Sequence, residues 1–306
     1  MHSRVAAPSL RWTDWPEQAL LEAKGALRIS VVIPARDEAP TIGAIVSGIR
    51  AELVDCLQLI DELVVIDSDS TDATARIALA NGARLYPARA IRPDLGSYFG
   101  KGEALWKAQF VTTGDILVFI DADLTGWGTH FVTGLLGPLL TDEGVQLVKG
   151  FYDRALDDGS GRVAPHGGRV TELVARPLLN LFWPELAHIV QPLAGEWAIR
   201  RSAFETLQVP VGYGVEMATL LDVFAACGAD AIAQVDLGER AHIHQSVHDL
   251  GVMAAEIIAV AARRRPGGSP RASAALWQFD RQADPPWRAR EIPMTERPPA
   301  VTVGRS

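Results

Sequence analysis

The sequence predicts an α/β protein built on a largely parallel, buried sheet. Three observations carry that expectation. The five residues 116–120 are apolar without alternation, and 28–34 and 62–66 are likewise rich in Val, Ile and Leu, the mark of strands covered on both faces. Segments with helical apolar spacing lie between them, as in Ile42, Ile45, Val46 and Ile49. Strand and helix therefore alternate, which means βαβ units.

Taken in order, residues 1–26 carry Trp12, Trp15 and Pro16 without a clear period and read as an N-terminal strap or arm. The first strand ends at Pro34, and Pro40 then suits the first turn of a helix. The second strand runs into Asp67-Ser68-Asp69-Ser70-Thr71-Asp72, a cluster of cap and turn residues. Its helix stops at Asn81-Gly82. A short strand at 83–86 leads to an irregular stretch ending in Gly100-Lys101-Gly102, and a helix is expected over 103–111. The run Ile116-Leu117-Val118-Phe119-Ile120 then enters Asp121-Ala122-Asp123. Side chains two apart in extended chain share a face, so both aspartates can point into one pocket at the carboxyl edge, where open α/β sheets bind ligands. Hard carboxylate oxygens there suit Mg²⁺ or Mn²⁺ with a phosphate group. A polar turn after a strand is the alternative reading of the same residues.

Composition narrows the classes. A hydrophobic fraction of 48% supplies a substantial core, and a formal net charge of −8 argues against nucleic-acid binding. Cys56 and Cys227 lie far apart and form no metal pattern, which fits a reducing cytoplasm. No apolar run approaches the roughly 20 residues of a membrane span, and residues 1–20 hold no hydrophobic signal region. A glycine-rich dinucleotide fingerprint and a P-loop lysine motif are both missing. Acidic groups instead follow three successive strands: Asp37/Glu38, Asp67/Asp69 and Asp121/Asp123. One pocket collecting them can take a base and ribose at the first two and a metal-bound diphosphate at the third. Lys101 is placed to reach a phosphate, or is simply a loop lysine.

In the second half, a strand at 146–150 leads through a polar loop to Gly167-Gly168-Arg169 and a helix over 170–181. A glycine-led helix start with an arginine is a site for a phosphate or carboxylate; a turn with a surface arginine is the other reading. Tyr213-Gly214-Val215-Glu216 opens a helix that ends at Gly228. Glu216 in its first turn is favoured by the helix dipole even without function. His242 follows a strand at 231–237, and a helix over 252–262 closes on Arg263-Arg264-Arg265. The tail from Pro266 is proline-rich and reads as an extended arm, with Trp277, Phe279 and Trp287 placed to pack on something.

Val32-Ile33-Pro34-Ala35-Arg36-Asp37-Glu38, the 67–72 cluster and Asp121-Ala122-Asp123 together resemble nucleotide-sugar glycosyltransferases of the GT-A fold. That fold joins a Rossmann-like nucleotide-binding half with a mixed sheet to an acceptor-binding half. The stretches 100–106, 167–179, 212–216 and 230–238, and Glu296-Arg297-Pro298-Pro299 in the tail, are similar to the glucosyl-3-phosphoglycerate synthases of actinobacteria. The resemblance implies a strap (1–26), a nucleotide-sugar half (27–150), an acceptor half (151–262) and a C-terminal arm (263–306). It implies metal-dependent transfer of glucose from UDP-glucose, or another nucleoside diphosphate glucose, to the 2-hydroxyl of 3-phosphoglycerate with retention, in a homodimer. On it, Pro34, Ala35, Glu38 and Ser68 match uracil, ribose and nucleotide contacts; Lys101, Asp121, Ala122, Leu193, Tyr213 and Glu216 match donor contacts. Asp123 and His242 match metal ligands. Gly168, Arg169, Thr171 and the His244 position match acceptor contacts. Glu216, Lys101 and Asp121 are the expected catalytic groups, with same-face attack rather than a covalent nucleophile. Two departures stand out. The family reads His-Arg-Asn where this chain has His242-Ile243-His244, and Ala122 replaces a serine. Competing expectations are mannosyl transfer from GDP-mannose, transfer to a polyprenyl phosphate, and a nucleotide-sugar-binding regulator without catalysis.

Overall fold

A computed structural model describes residues 10–155, 163–164, 168–241, 247–265, 267–268, 274–279 and 285–304. The strands are β1 (Leu10–Arg11), β2 (Ile29–Ala35), β3 (Glu62–Asp67), β4 (Arg84–Pro87), β5 (Ile116–Phe119), β6 (Leu147–Ala155), β7 (Val163–Ala164), β8 (Trp197–Arg200), β9 (Val209–Pro210) and β10 (Ile232–Ala241). All but β9 form one sheet in the order β1-β10-β6-β8-β5-β2-β3-β4, with β7 beside β6. The pairings are parallel except those of β8 with β5 and β6 and of β7 with β6. The sheet is thus mixed, the GT-A arrangement, and it continues without a break past residue 150.

The helices are α1 (Glu17–Lys24), α2 (Ile42–Ile49), α3 (Thr74–Ala80), α4 (Lys101–Ala108), α5 (His130–Thr141), α6 (Arg176–Phe182), α7 (Arg201–Phe204), α8 (Val215–Cys227), α9 (Val247–Arg264) and α10 (Ala300–Val303). They cover both faces. Val31 and Ile33 of β2 point into a core with α1, α2 and α5, while Val32 joins α4, α8 and α9. All six residues of β3 are buried. Because each face meets helices, alternation never had a polar side to record. None of the described helices is long and apolar enough to cross a membrane.

Several boundaries differ from expectation. Strand β6 continues to Ala155, where a polar loop was expected, because it pairs with β10 as far as Ala241. Helix α4 starts at Lys101, not 103, and α9 starts at Val247, not 252. The described part of the strap, from Leu10 on, is packed. Trp12 lies against His130 with ring centroids 4.5 Å apart, and Trp15 fills the space a side chain on Gly137 would need.

The tail is not merely an extended arm. Strands β11 (Ala274–Phe279) and β12 (Trp287–Ile292) form an antiparallel pair, and β13 (Glu296–Arg297) pairs with β9. The described prolines, 285, 286, 293, 298 and 299, all lie outside these strands. They bound the paired segments instead of blocking them. Phe279 and Trp287 meet edge-on at 5.3 Å, but both stay half exposed, as does Trp277.

Candidate active site

The loops after β2 and β3 are sewn together. Asp37 and Asp69 both adopt left-handed φ (54° and 60°), which aspartate tolerates better than most residues. The Asp37 carboxylate accepts the Thr71 N–H at 2.7 Å, and Asp72 accepts the Ala39 N–H at 3.1 Å. The Glu38 N–H donates to Thr74 Oγ1 and the Ser68 N–H to the Ala35 carbonyl. The Thr71 N–H holds the Asp37 carboxyl below its ordinary value, as the Thr74 hydroxyl does for Asp72. Asp69 pairs with Arg89. Asp37 and Asp72 thus tie the two loops together, while Asp67 ends β3 buried. One Asp67 oxygen has no partner. Pro34 lies beyond the last β2 residue paired to β5, Val32 opposite Phe119.

The flanking glycines explain how Lys101 enters. A Cβ on Gly100 or Gly102 would collide with the carbonyls of Val211 and Pro210, and Gly100 has φ +139°, open chiefly to glycine. The 209–212 backbone therefore presses against the start of α4, accepting the Gly102 and Glu103 N–H groups on the Gly212 and Val211 carbonyls. From that first turn the Lys101 ammonium reaches Asp121 at 2.5 Å and Glu216 at 2.8 Å. It lies in no loop, and its partners are two carboxylates from opposite halves of the chain. Burial opposes its charge, but Asp121 and then Glu216 hold its pKa well above the ordinary value. Burial likewise pushes Asp121 up, and Lys101 followed by Arg240 more than reverses it.

Asp121 and Asp123 do not share a strand face as expected, because the chain leaves β5 at Phe119 and turns at 122–123. Thr41 donates to the Ala122 carbonyl at 2.6 Å and pins that turn. The carboxylates still lie close enough to interact. Burial, then Asp121, lifts the Asp123 carboxyl. Burial, then Asp123 and Asp121, pushes Glu38 up to about 7.

Asp123 is held by Arg240 at 2.9 Å, and Arg240 also grips Glu196 at 2.9 Å and the Tyr152 hydroxyl at 2.7 Å. Neither Arg240 nor Glu196 was singled out in the sequence. An extra residue between Asp236 and Glu239, with Gly238 at φ +84°, breaks the β10 register. Such a bulge re-aims the residues that follow, so no alternation pattern marks Arg240. Glu196 was readable only as an acid at the mouth of an apolar strand. Lys149 is a third omission. It is fully buried, donates to the Ala194 carbonyl at 2.6 Å, and burial pushes its amine down to about 8. Gly195, next to that anchor, abuts the Asp121 carboxylate so closely that a Cβ would overlap it. Gly195→Ala is therefore expected to dislodge Asp121 from Lys101 and lower kcat at least tenfold, with steady-state kinetics as the check.

Leu193 is half-buried in the same 191–195 turn. Tyr213 is half exposed, and its N–H donates to Glu256 at 2.6 Å. Gly168, Arg169 and Thr171 begin the helical segment that runs into α6; Thr171 is buried and Arg169 exposed. His242 and His244 lie outside the described residues. Among the described residues no three His, Cys, Asp or Glu side chains form a metal-binding group.

Glu256 gives a pH prediction. Burial lifts its carboxyl from 4.5 to about 7, against the Tyr213 N–H bond that lowers it. A folded-state pKa raised in this way adds stability below the ordinary value and loses it as pH climbs through the folded value. Unfolding free energy should thus fall between about pH 4.5 and 7, and Glu256→Gln should make the fall shallower. Urea melts at pH 5 and pH 8 measure the difference.

The model of glycosyl transferase family 2 matches residues 30–207, so the class is that of a glycosyltransferase. Glucosyl-3-phosphoglycerate synthase of Mycobacterium tuberculosis H37Rv is 48% identical over 268 residues, covering 87% of this chain and 81% of the relative. The crystal structure of the M. tuberculosis enzyme with Mn²⁺, UDP-glucose and phosphoglyceric acid superposes with a TM-score of 0.87 at 41% identity, covering 98% of this chain and all of that one. A second crystal structure of it, with Mn²⁺, UDP and glucosyl-3-phosphoglycerate, gives 0.83 at 43% identity over 95% of this chain and 96% of that one. The chain belongs to the glucosyl-3-phosphoglycerate synthase family.

Proposed function

We propose that this chain transfers glucose from UDP-glucose to the 2-hydroxyl of 3-phosphoglycerate, with retention and with a divalent cation required. The observation that carries the reading is the Lys101 ammonium held between Asp121 and Glu216 at the carboxyl edge of the sheet, beside Asp123. The relatives support it: the M. tuberculosis structures hold the same donor with phosphoglyceric acid, or UDP with the glucosylated product.

The residues suit a divalent cation. Asp123, 42% exposed at its side chain, offers hard oxygen, and its neighbours Asp121 and Glu38 raise the local negative charge. Asp123 and His242 would hold Mg²⁺ or Mn²⁺. When bound, that ion neutralises charge on the departing diphosphate.

The protein's own groups do the rest. Pro34, Ala35, Glu38 and Ser68 hold the uridine; Ala122, Leu193 and Tyr213 border the donor. Lys101 brings fixed positive charge that needs no reorganisation as the diphosphate leaves. Asp121 and Glu216 aim that ammonium, and Glu216 orients the acceptor hydroxyl for same-face attack, its proton passing to the leaving phosphate. Gly168, Arg169, Thr171 and His244 receive the acceptor's anionic groups. We place the reaction in the cytoplasm, where exposed free Cys56 and Cys227 stay reduced, and in a homodimer.

Purified protein with Mn²⁺, UDP-glucose and 3-phosphoglycerate should release UDP only when both substrates are present. EDTA should abolish release and added Mn²⁺ should restore it. Release that is indifferent to 3-phosphoglycerate, or to chelation, contradicts the reading.

A further inference from the structure

The motif Glu296-Arg297-Pro298-Pro299 has no part in the proposed chemistry, yet Arg297 is only 5% exposed. Its guanidinium forms a two-pronged pair with the buried Glu103 carboxylate, at 2.7 and 2.6 Å, across 194 positions of sequence. Glu103 sits in the first turn of α4, two residues from Lys101. The same arginine donates to the Leu95 and Gly96 carbonyls at 2.7 and 3.0 Å and lies over the rings of Tyr98 and Trp106. Glu103 in turn accepts the Tyr98 N–H at 3.2 Å. A planar fork that fills both carboxylate oxygens fixes orientation as well as charge.

The neighbouring tail residues reinforce the hold. The Pro298 carbonyl accepts the Trp106 indole N–H at 2.8 Å, and the Thr295 carbonyl accepts the Val211 N–H at 3.1 Å. Pairing of β13 with β9 ties in the 209–212 backbone, which receives the Gly102 and Glu103 N–H groups. The approach to Lys101, its helical turn and the backbone facing it are therefore all fastened to residues 295–298.

We propose that Arg297, through Glu103, is a positioning residue that sets the place of the Lys101 ammonium between Asp121 and Glu216. The tail segment is a clamp on the reaction centre, and Arg297 acts without touching substrate. Its effect on turnover rests on the glycosyl-transfer reading given above; its effect on backbone order does not.

The test uses the full-length chain with Arg297→Lys, which keeps the charge but loses the fork, and the triple variant Glu103→Met/Lys107→Met/Arg297→Met, which removes the three buried charges of the cluster together. Hydrogen exchange is followed at the Gly102 and Glu103 amides, alongside kcat and KM. Both variants should speed exchange at those amides and lower kcat about tenfold with little change in donor KM. In a Lys101→Ala background, Arg297→Lys should cause no further loss of kcat, since non-additivity marks groups that act as a unit. Unchanged exchange at 102 and 103, or Lys101 and Arg297 effects that multiply, overturns the proposal. Wild-type protein with no turnover would instead defeat the glycosyl-transfer reading, and exchange alone would then decide the clamp.

Discussion

Lys101→Met is expected to reduce kcat about 10²–10³-fold, the scale seen when one preorganised charge-stabilising donor is removed from a reaction centre. The side chain stays unbranched and of similar bulk but loses its charge and its hydrogen-bond donors. Asp121 and Glu216, which both bond this ammonium, would then lose the donor they share. Without that shared bond neither carboxylate is held in its place. The loss should fall mainly on kcat, because the proposed function assigns the uridine to other residues. Steady-state kinetics of UDP release measure it. A variant within threefold of wild type would remove Lys101 from the chemistry.

The second large effect is on stability. Arg240→Met should cost about 3–5 kcal/mol, because it leaves Glu196 buried and without its cation. Glu196 has no exposed surface, and one of its oxygens already lacks a partner. Removing both charges, in Glu196→Leu/Arg240→Met, should recover most of that loss, since a buried pair is often replaceable by apolar groups of similar volume. Denaturant titration at neutral pH reads both values. A loss below about 1 kcal/mol for the single change would mean that the Arg240–Glu196 contact carries little of the fold.

The fold was legible because buried parallel strands leave an unalternated apolar record, and β2, β3 and β5 fall within a residue or two of where that record puts them. The acids at the strand ends were also visible, but sequence could not divide their labour. Asp37 and Asp72 tie loops together, while Glu38, Asp121 and Asp123 share one pocket. Lys101 was legible from its flanking glycines and Glu216 from the motif resemblance, but their mutual contact is tertiary. Arg240 stayed hidden behind a bulge that breaks the period of β10. Arg297 stayed hidden because its partner lies 194 positions away, and nothing local to a proline-rich tail announces a buried pair.

The most direct test of the central claim is the structure of the product. Wild-type protein is incubated with Mn²⁺, UDP-glucose and 3-phosphoglycerate, and the acceptor product is analysed by mass spectrometry and proton NMR. The account predicts phosphoglycerate carrying one hexose, joined through its 2-hydroxyl in the α configuration of the donor. A β-linked product, a hexose on another oxygen, or free glucose beside unmodified phosphoglycerate would contradict it.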